Sequence, residues 1–566
     1  NTIDTNALAT IGFEAFSDHE IKFTGLVTRS SEKEARIITG ENNEDVDQRL
    51  DALEWVEQQL WSTQVQGEHF LPQVMDMKVE WRASYSEALR DAPYQLSNIY
   101  NINDAGVPIL STSPAANRMQ FSKVEDDTTD FGIDGTLPMT RDGECTFLCE
   151  ADLKFGYSYV ENDRAATSLL YDINGVGGTD RTQRLDYIYD YIFRSGVGSI
   201  TEVAGEQFPQ FYVATLEIDA AYAGIDAQIT PYIRAALGVR FEDAIEAIDT
   251  QNISGDLTGN TVEGVIDQSD WLPALTITWN PIEDLQVRGG YSETLTRPQF
   301  RELAPAVFVN TETDATFFGN PYLVNASIKN YDLRGEYYFG QGSRVSLAGF
   351  YKSIDNPIEA FSQFTDNSQS TSFANAPKAE LYGAEAELVW NYDLYDLGGF
   401  FESKRALLIA NYTYTQSQIQ VKPGDQTFIF ITGVGASPRD ATSLFRDGDP
   451  LTGQSDHLAN IQVGFEDIDR LSQMTLLFSY ASNRVTSRLG QNAGGLPDVI
   501  EKPGARLDLV IRQGVELGGV PLELKFEARN LTGTDNYEYV ANDSGRVDVN
   551  SYQVGQSFAL SLSAEF

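Results

Sequence analysis

Apolar and polar side chains alternate along almost the whole length of this chain, and that pattern narrows its possible folds more than any other feature. In "PLELKFEARN", Leu522, Leu524, Phe526 and Ala528 interleave with Glu523, Lys525, Glu527 and Arg529. "ARLDLVIR" sets Leu507, Leu509 and Ile511 against Arg506, Asp508, Val510 and Arg512, and "ALTITW" sets Leu275, Ile277 and Trp279 against Thr276 and Thr278. "GAEAELVW" puts Ala384, Ala386, Leu388 and Trp390 opposite Glu385 and Glu387. A period of two sends successive side chains to opposite faces of a strand, so each segment has one apolar face. No window approaches the roughly eighteen apolar residues of a membrane helix, but a β-barrel crosses by alternation rather than by runs.

Two architectures accommodate such strands, a soluble sandwich and a closed barrel. The pattern predicts strands at 7–16, 20–34, 54–70, 73–88, 127–139, 151–162, 211–224, 232–246, 269–279, 284–295, 326–338, 343–352, 378–391, 404–416, 455–466, 472–483, 503–514, 521–531 and 553–566. Many reach about ten residues, the length that crosses a bilayer at a tilt, and aromatics gather near their ends as in an interface girdle. Short links ("TWNPIEDLQ", "YYFGQGSR", "FEDIDRLSQ") take turns with long polar ones at 163–210, 296–325, 353–377, 417–454 and 533–552. Short turns at one end and long loops at the other mark an outer-membrane barrel. The expectation is therefore an all-β, large antiparallel transmembrane barrel spanning 1–566, with about nineteen strands here and about 22 in the intact protein. The segments 41–61 and 181–195 carry helical periodicity and are expected to hold short helices in the loops.

Composition limits the chemistry. There are 83 acidic against 40 basic residues, a net charge of −43, which repels nucleic acid and leaves it out as a partner. The three histidines, His19, His69 and His457, stand far apart in sequence, and no serine-centred nucleophile motif accompanies them, so an enzyme is not expected. Cys145 and Cys149 lack the further ligands of a zinc site, which favours a small disulfide clip. No metal or cofactor is expected, with calcium in the acidic stretches 42–47, 125–130 and 446–450 as the alternative to solvated surface.

Residues 291–361 contain "YSETLTRP" followed by "REL", then "GNPYL", "NYDLRGEYYF" and "FYKSIDNPIE", while "EARNLTGTDNYEY" and the closing Phe566 stand near the C-terminus. In this order they resemble the barrel of TonB-dependent outer-membrane receptors, particularly the type abundant in Caulobacter- and Xanthomonas-like bacteria. The motif residues are Gly319, Asn320, Pro321, Asn330, Pro357 and Asn530, for which turn and rim geometry is the plainer role. The resemblance implies a TonB-contacting box, a plug and about three further strands ahead of the residues present here. It implies the outer membrane of a Gram-negative bacterium, with lipid and lipopolysaccharide around the wall. It also implies Phe566 as the signal read by the barrel-assembly machinery, and the TonB–ExbB–ExbD complex as energy source through the plug.

Active uptake of a nutrient follows as the expected function. Loop aromatics Phe308, Phe317, Phe318, Phe361, Phe364, Phe373 and Phe428, set among Asp, Asn and Gln, fit stacking on an oligosaccharide or another neutral compound. The acidic loops suit an anionic ferric siderophore less well, which with cobalamin is the alternative substrate. Arg297, Arg301 and Glu302 are expected to face the bore and meet the plug. The rival readings are a passive porin, a lipopolysaccharide-inserting barrel, and a barrel subunit of a surface complex, which would bring a surface lipoprotein as partner.

Overall fold

A computed structural model describes the chain except for residues 16–17, 42–45, 114–115, 140–147, 149, 203–208, 252–262, 307, 310–315, 341, 366–367, 432–434, 468, 490–496, 519, 543–544 and 565–566. Its main sheet has 21 strands, of which the short Pro108–Leu110 and Ser199–Glu202 belong to loops, leaving nineteen in the wall. These are β1 Thr2–Ala15, β2 His19–Glu41, β3 Asp47–Leu71, β4 Met77–Ile102, β5 Asn117–Pro138, β6 Glu150–Asn174, β7 Phe211–Thr230, β8 Ile233–Gln251, β9 Glu263–Ile282 and β10 Leu285–Thr296. They continue as β11 Ala326–Phe339, β12 Ser343–Asp355, β13 Lys378–Asp393, β14 Lys404–Gln420, β15 His457–Asp467, β16 Ser472–Ala481, β17 Gly504–Leu517, β18 Val520–Arg529 and β19 Ser557–Ala564. Each pairs antiparallel with its chain neighbour, a meander from β1 to β19.

All nineteen expected strands are present, and most run farther than expected toward the loop end: β6 continues to Asn174 and β3 begins at Asp47. The helix expected in 41–61 is not found. Over 47–61 the chain is strand, with Trp55 and Trp61 on one face and Glu54, Gln58 and Leu60 on the other. The second expected helix forms: α1, Leu185–Ser195, buries Ile188 and Ile192 against Leu96, Leu110 and Ile173. The acidic stretch 125–130 runs along β5, where Asp126 pairs with Arg164 and Asp130 with Arg82.

The faces of the wall settle the choice between sandwich and barrel. Leu237, Leu333, Leu347 and Trp271 are 56%, 62%, 65% and 66% exposed, so the alternating apolar side chains point away from the protein. The buried apolar clusters hold none of them and gather instead among the loops and the loop-end extensions of strands. On β9 the outward side chains Trp271, Leu275, Ile277 and Trp279 form an apolar band closed by an indole at each end. Phe241 of β8 packs beside Trp271 with ring centroids 4.9 Å apart, and Ser269 and Asp267 follow beyond it. Residues 271–279 therefore cross the hydrocarbon layer, and the strand beyond Trp271 stands above it.

Inward positions carry the charge. Glu387 of β13 accepts from Arg344 at 2.8 Å and from Arg334 at 3.0 Å. Asp226 of β7 holds Arg234 at 2.7 Å and Lys154 at 3.2 Å. Water in a wide bore, together with such pairing, supports charges that a dry core would not. At the turn end, His19 and His69 meet across β2 and β3 despite fifty residues of separation, with Nδ1 atoms 3.1 Å apart, and the Trp81 indole donates to His69 Nε2 at 2.9 Å. Among the described residues β1 pairs only with β2, and β19 only with β18.

Candidate functional site

Above the membrane band the loops build a structure of their own. Segments Phe308–Val309, Thr316–Phe317, Ser368–Asn375, Ile358–Thr365, Arg484–Leu489, Val499–Glu501, Asn536–Asn542 and Gly545–Tyr552 join into an eight-stranded sheet drawn from four loops. A hairpin, Gln426–Ile431 with Gly435–Asp440, lies beside it. Under this canopy Phe300, Leu303, Ala304, Leu323 and Phe373 pack on Tyr212, Ala214 and Ile248 of the wall, so the link between β10 and β11 folds inward over the bore.

Two polar knots hold the canopy. Asn320, fully buried, donates from Nδ2 to the carbonyls of Phe373 at 2.9 Å and Phe428 at 2.8 Å, and its Oδ1 accepts from the Tyr322 amide at 3.0 Å. Its neighbour Gly319 lies so close to Ala304 that a Cβ would fall 2.4 Å from that residue's carbonyl oxygen. The second knot is Arg488, which donates to Asp449 at 2.9 Å, Glu359 at 3.1 Å and the Pro450 carbonyl at 2.7 Å. Its side chain is 2% exposed and joins three loops. Burial pushes the Glu359 and Asp449 carboxyls up, and Arg488 opposes the rise at both.

Between the inward-folded link and β2–β7 lies a cavity of about 620 Å³, within the range of small-molecule sites. Ser30, Gln58, Gln95, Gln120, Ser122 and Thr167 give it amide and hydroxyl groups, and Tyr212 an aromatic edge. Three glutamates, Glu32, Glu34 and Glu54, are matched by three arginines, Arg90, Arg164 and Arg301. Arg90 donates to Ser122 at 3.1 Å, and Gln95 donates to Glu54 at 2.5 Å. Arg164 lies over the Phe300 ring at 5.2 Å and is bound to Asp126. Tyr212 is pushed above the ordinary phenol range by burial.

The expected site residues fall into distinct places. Arg301 lines the cavity, but Arg297 is engaged by the wall, donating to Glu242 at 2.8 Å. Glu302 folds back to accept from the Gln299 amide at 2.8 Å, capping the short turn Phe300–Leu303. Phe361 and Phe373, 2% and 7% exposed, are packed inside the canopy. Phe317 and Phe318 are half-buried and Phe428 is exposed, while the side chains of Phe308 and Phe364 lie outside the described residues. Pro357 is buried, its carbonyl accepting from Ala376 at 2.8 Å. Asn330 accepts from Lys352 at 2.7 Å on the inner face of β11. Asn530 takes a left-handed backbone, φ 54°, and spans the base of the last loop by donating to Thr534 O at 3.0 Å and Gly555 O at 2.7 Å. Phe566, Cys145 and Cys149 lie outside the described residues. Among those described, no three acidic, histidine or cysteine side chains converge as a metal site, and Asp449 of the stretch 446–450 is held by Arg488.

Glu246 was not visible as special in the sequence. It lies on β8 opposite Ile266, beyond the Trp271 girdle, 2% exposed, and its Oε2 has no hydrogen-bond partner among the described residues. Burial raises its carboxyl to about 7, with Arg297 pulling down and Glu302 pushing up. The folded protein thus keeps this proton between pH 4.5 and about 7, where the unfolded chain has lost it. Stability falls across that window and levels off above it, by on the order of 3 kcal/mol. Glu246→Gln is expected to flatten the dependence and to raise the melting temperature at pH 8 but not at pH 4.5, read by thermal unfolding in detergent. An unchanged pH slope contradicts this.

A wide membrane-crossing sheet, a charged bore and a loop canopy over a polar cavity define the wall of an outer-membrane transporter. A family model described as TonB dependent receptor-like, beta-barrel, matches residues 80–563, and the chain belongs to that family. Its members are transporters of the outer membrane that work with TonB, not enzymes. Among solved structures, the chain is similar to the siderophore receptor PiuA from Acinetobacter baumannii, at 12% identity and a TM-score of 0.55, covering 100% of this chain and 79% of that one. The ferric citrate transporter FecA in the unliganded form gives 11% and 0.53, covering 100% and 78%. The copper transporter OprC gives 12% and 0.55, covering 99% and 80%. At such identities the likeness is one of fold. No curated protein matches the chain.

Proposed function

We propose that this importer takes up a neutral, polyhydroxylated nutrient, an oligosaccharide foremost, and that the cavity under the canopy is its first binding station. The observation that supports this is the lining: amides and hydroxyls, with three carboxylates balanced by three guanidiniums, so the site has no net charge to offer an anionic iron chelate. Sugars are held by such groups through paired donors and acceptors. The ferric siderophore and cobalamin alternatives call for a different lining. Gln58 of β3 and Arg301 of the inward-folded link both line the cavity. Gln58→Ala and Arg301→Ala are each expected to weaken oligosaccharide binding about five- to tenfold, one or two lost hydrogen bonds. Calorimetry with a panel of oligosaccharides and ferric siderophores tests this. Tight siderophore binding lost in the same variants overturns the substrate and leaves the site.

A further inference from the structure

Most turn-end links are minimal, such as 231–232 and 283–284, but the link between β13 and β14 spans 394–403 and carries the apolar side chains of Leu394, Tyr395, Leu397, Phe400 and Phe401. Two short turns, Tyr395–Leu397 and Gly399–Phe401, meet at Gly398 and Gly399, whose positive φ of 66° and 59° lets the chain double back. The reversal lays Phe400 parallel to Phe465, centroids 6.3 Å apart and 17° between planes, with Phe401 edge-on to the same ring. Phe465 belongs to β15 on the same face as Val463 and Ile461, and it opposes Met474 of β16. This is the lipid-facing side of the wall. Beneath Phe400 lies Lys404, its ammonium 5.0 Å from the ring centre and paired with Asp467. Yet Tyr395, Leu397 and Phe400 are 68%, 65% and 71% exposed.

We propose that Tyr395, Leu397, Phe400 and Phe401 form a foot whose apolar side chains lie in the periplasmic leaflet of the outer membrane, its occupant the phospholipid itself, while the exposed Asp396 between them faces the periplasm. The foot continues the outward apolar surface through Phe465, Met474 and the Trp390–Tyr392 pair, and it covers its one ion pair from lipid, as a segment at the interface requires. It rests on the membrane placement of the wall and not on the substrate. A soluble periplasmic partner is the rival occupant.

The test reconstitutes the full chain in phosphatidylethanolamine–phosphatidylglycerol vesicles and compares Phe400→Trp and Asp396→Trp with the parent protein. The emission added by Phe400→Trp is expected to lose most of its intensity to lipids brominated on the acyl chains and little to aqueous acrylamide, with the reverse for Asp396→Trp. Acrylamide quenching of Phe400→Trp, without bromine quenching, overturns the proposal and frees the foot for a soluble partner. Identical behaviour at both positions also overturns it, since the indole's own preference would then set the depth.

Discussion

Arg488→Ala is expected to release three loops together while the strand wall stays intact. The guanidinium is buried and joins β-segment Ile358–Thr365, through Glu359, to Asp449 and Pro450 of the next loop from its own seat in Arg484–Leu489. Glu359 also accepts the Thr452 amide at 3.3 Å, so the knot reaches the backbone of the neighbouring loop a second time. Deleting the guanidinium leaves the buried Glu359 and the partly exposed Asp449 without their cation, a loss of about 3–5 kcal/mol. That is enough to raise the open population of the canopy by about two to four orders of magnitude. Hydrogen exchange should quicken over 356–377, 421–456 and 482–503 and remain unchanged in β11–β13. The defect should shrink as pH falls. Burial already raises both carboxyls, and without the opposing Arg488 they take up protons more readily and cease to be charged. Arg488→Lys keeps the charge but has no planar fork for two directions at once, and should fall between parent and alanine variant. Exchange rates equal to the parent's at neutral pH would refute the knot.

Asn320→Ala carries the second large effect. Its amide is the shared anchor of the β10–β11 link, the segment Ser368–Asn375 and the hairpin beginning at Gln426. The truncation removes three hydrogen bonds and strands groups in a dry interior, at about 1–3 kcal/mol for each one left unmatched. Limited proteolysis should then cut within 297–325 and 421–456 at least tenfold faster, the equivalent of about 1.4 kcal/mol. Asn320→Asp separates the contributions: it keeps the acceptor for Tyr322 and loses both donors, so it should resemble alanine at the hairpin and the parent at Tyr322. Cleavage unchanged in both variants would mean that the apolar cluster of Phe300, Leu303 and Phe373 alone holds the link down.

The wall was legible because lipid outside and water inside impose opposite chemistry on alternate residues, as in Leu333 against Arg334 and Glu336. Where that contrast ends, so does legibility. Above the girdle both faces of β3 are wet, and "DALEWVEQQLW" mixes Leu53, Trp55, Val56 and Leu60 in a spacing that mimics a helix. α1 could be read because one face packs on the wall, through Leu185, Ile188 and Ile192. The cavity could not be read. Its residues run from Ser30 to Arg301 and share no local pattern, and only the meander brings them together. The motif around Gly319 and Asn320 was visible as turn chemistry, but its hydrogen-bond partners, Phe373 and Phe428, lie on loops 53 and 108 residues away. The burial of Phe361 and Phe373 was not legible because it depends on a canopy that no single loop encodes.

Everything rests on which way the alternating side chains of the wall point. Spin labels carried by cysteine substitutions at each residue from 331 to 337 on β11, in a background of Cys145→Ser and Cys149→Ser and in lipid vesicles, measure this directly. Oxygen, which concentrates in the acyl chains, should reach positions 331, 333, 335 and 337, and a water-soluble nickel chelate should reach 332, 334 and 336. Nickel access at both sets, or closure of Leu333→Cys to both reagents as in a packed dry core, would contradict the account.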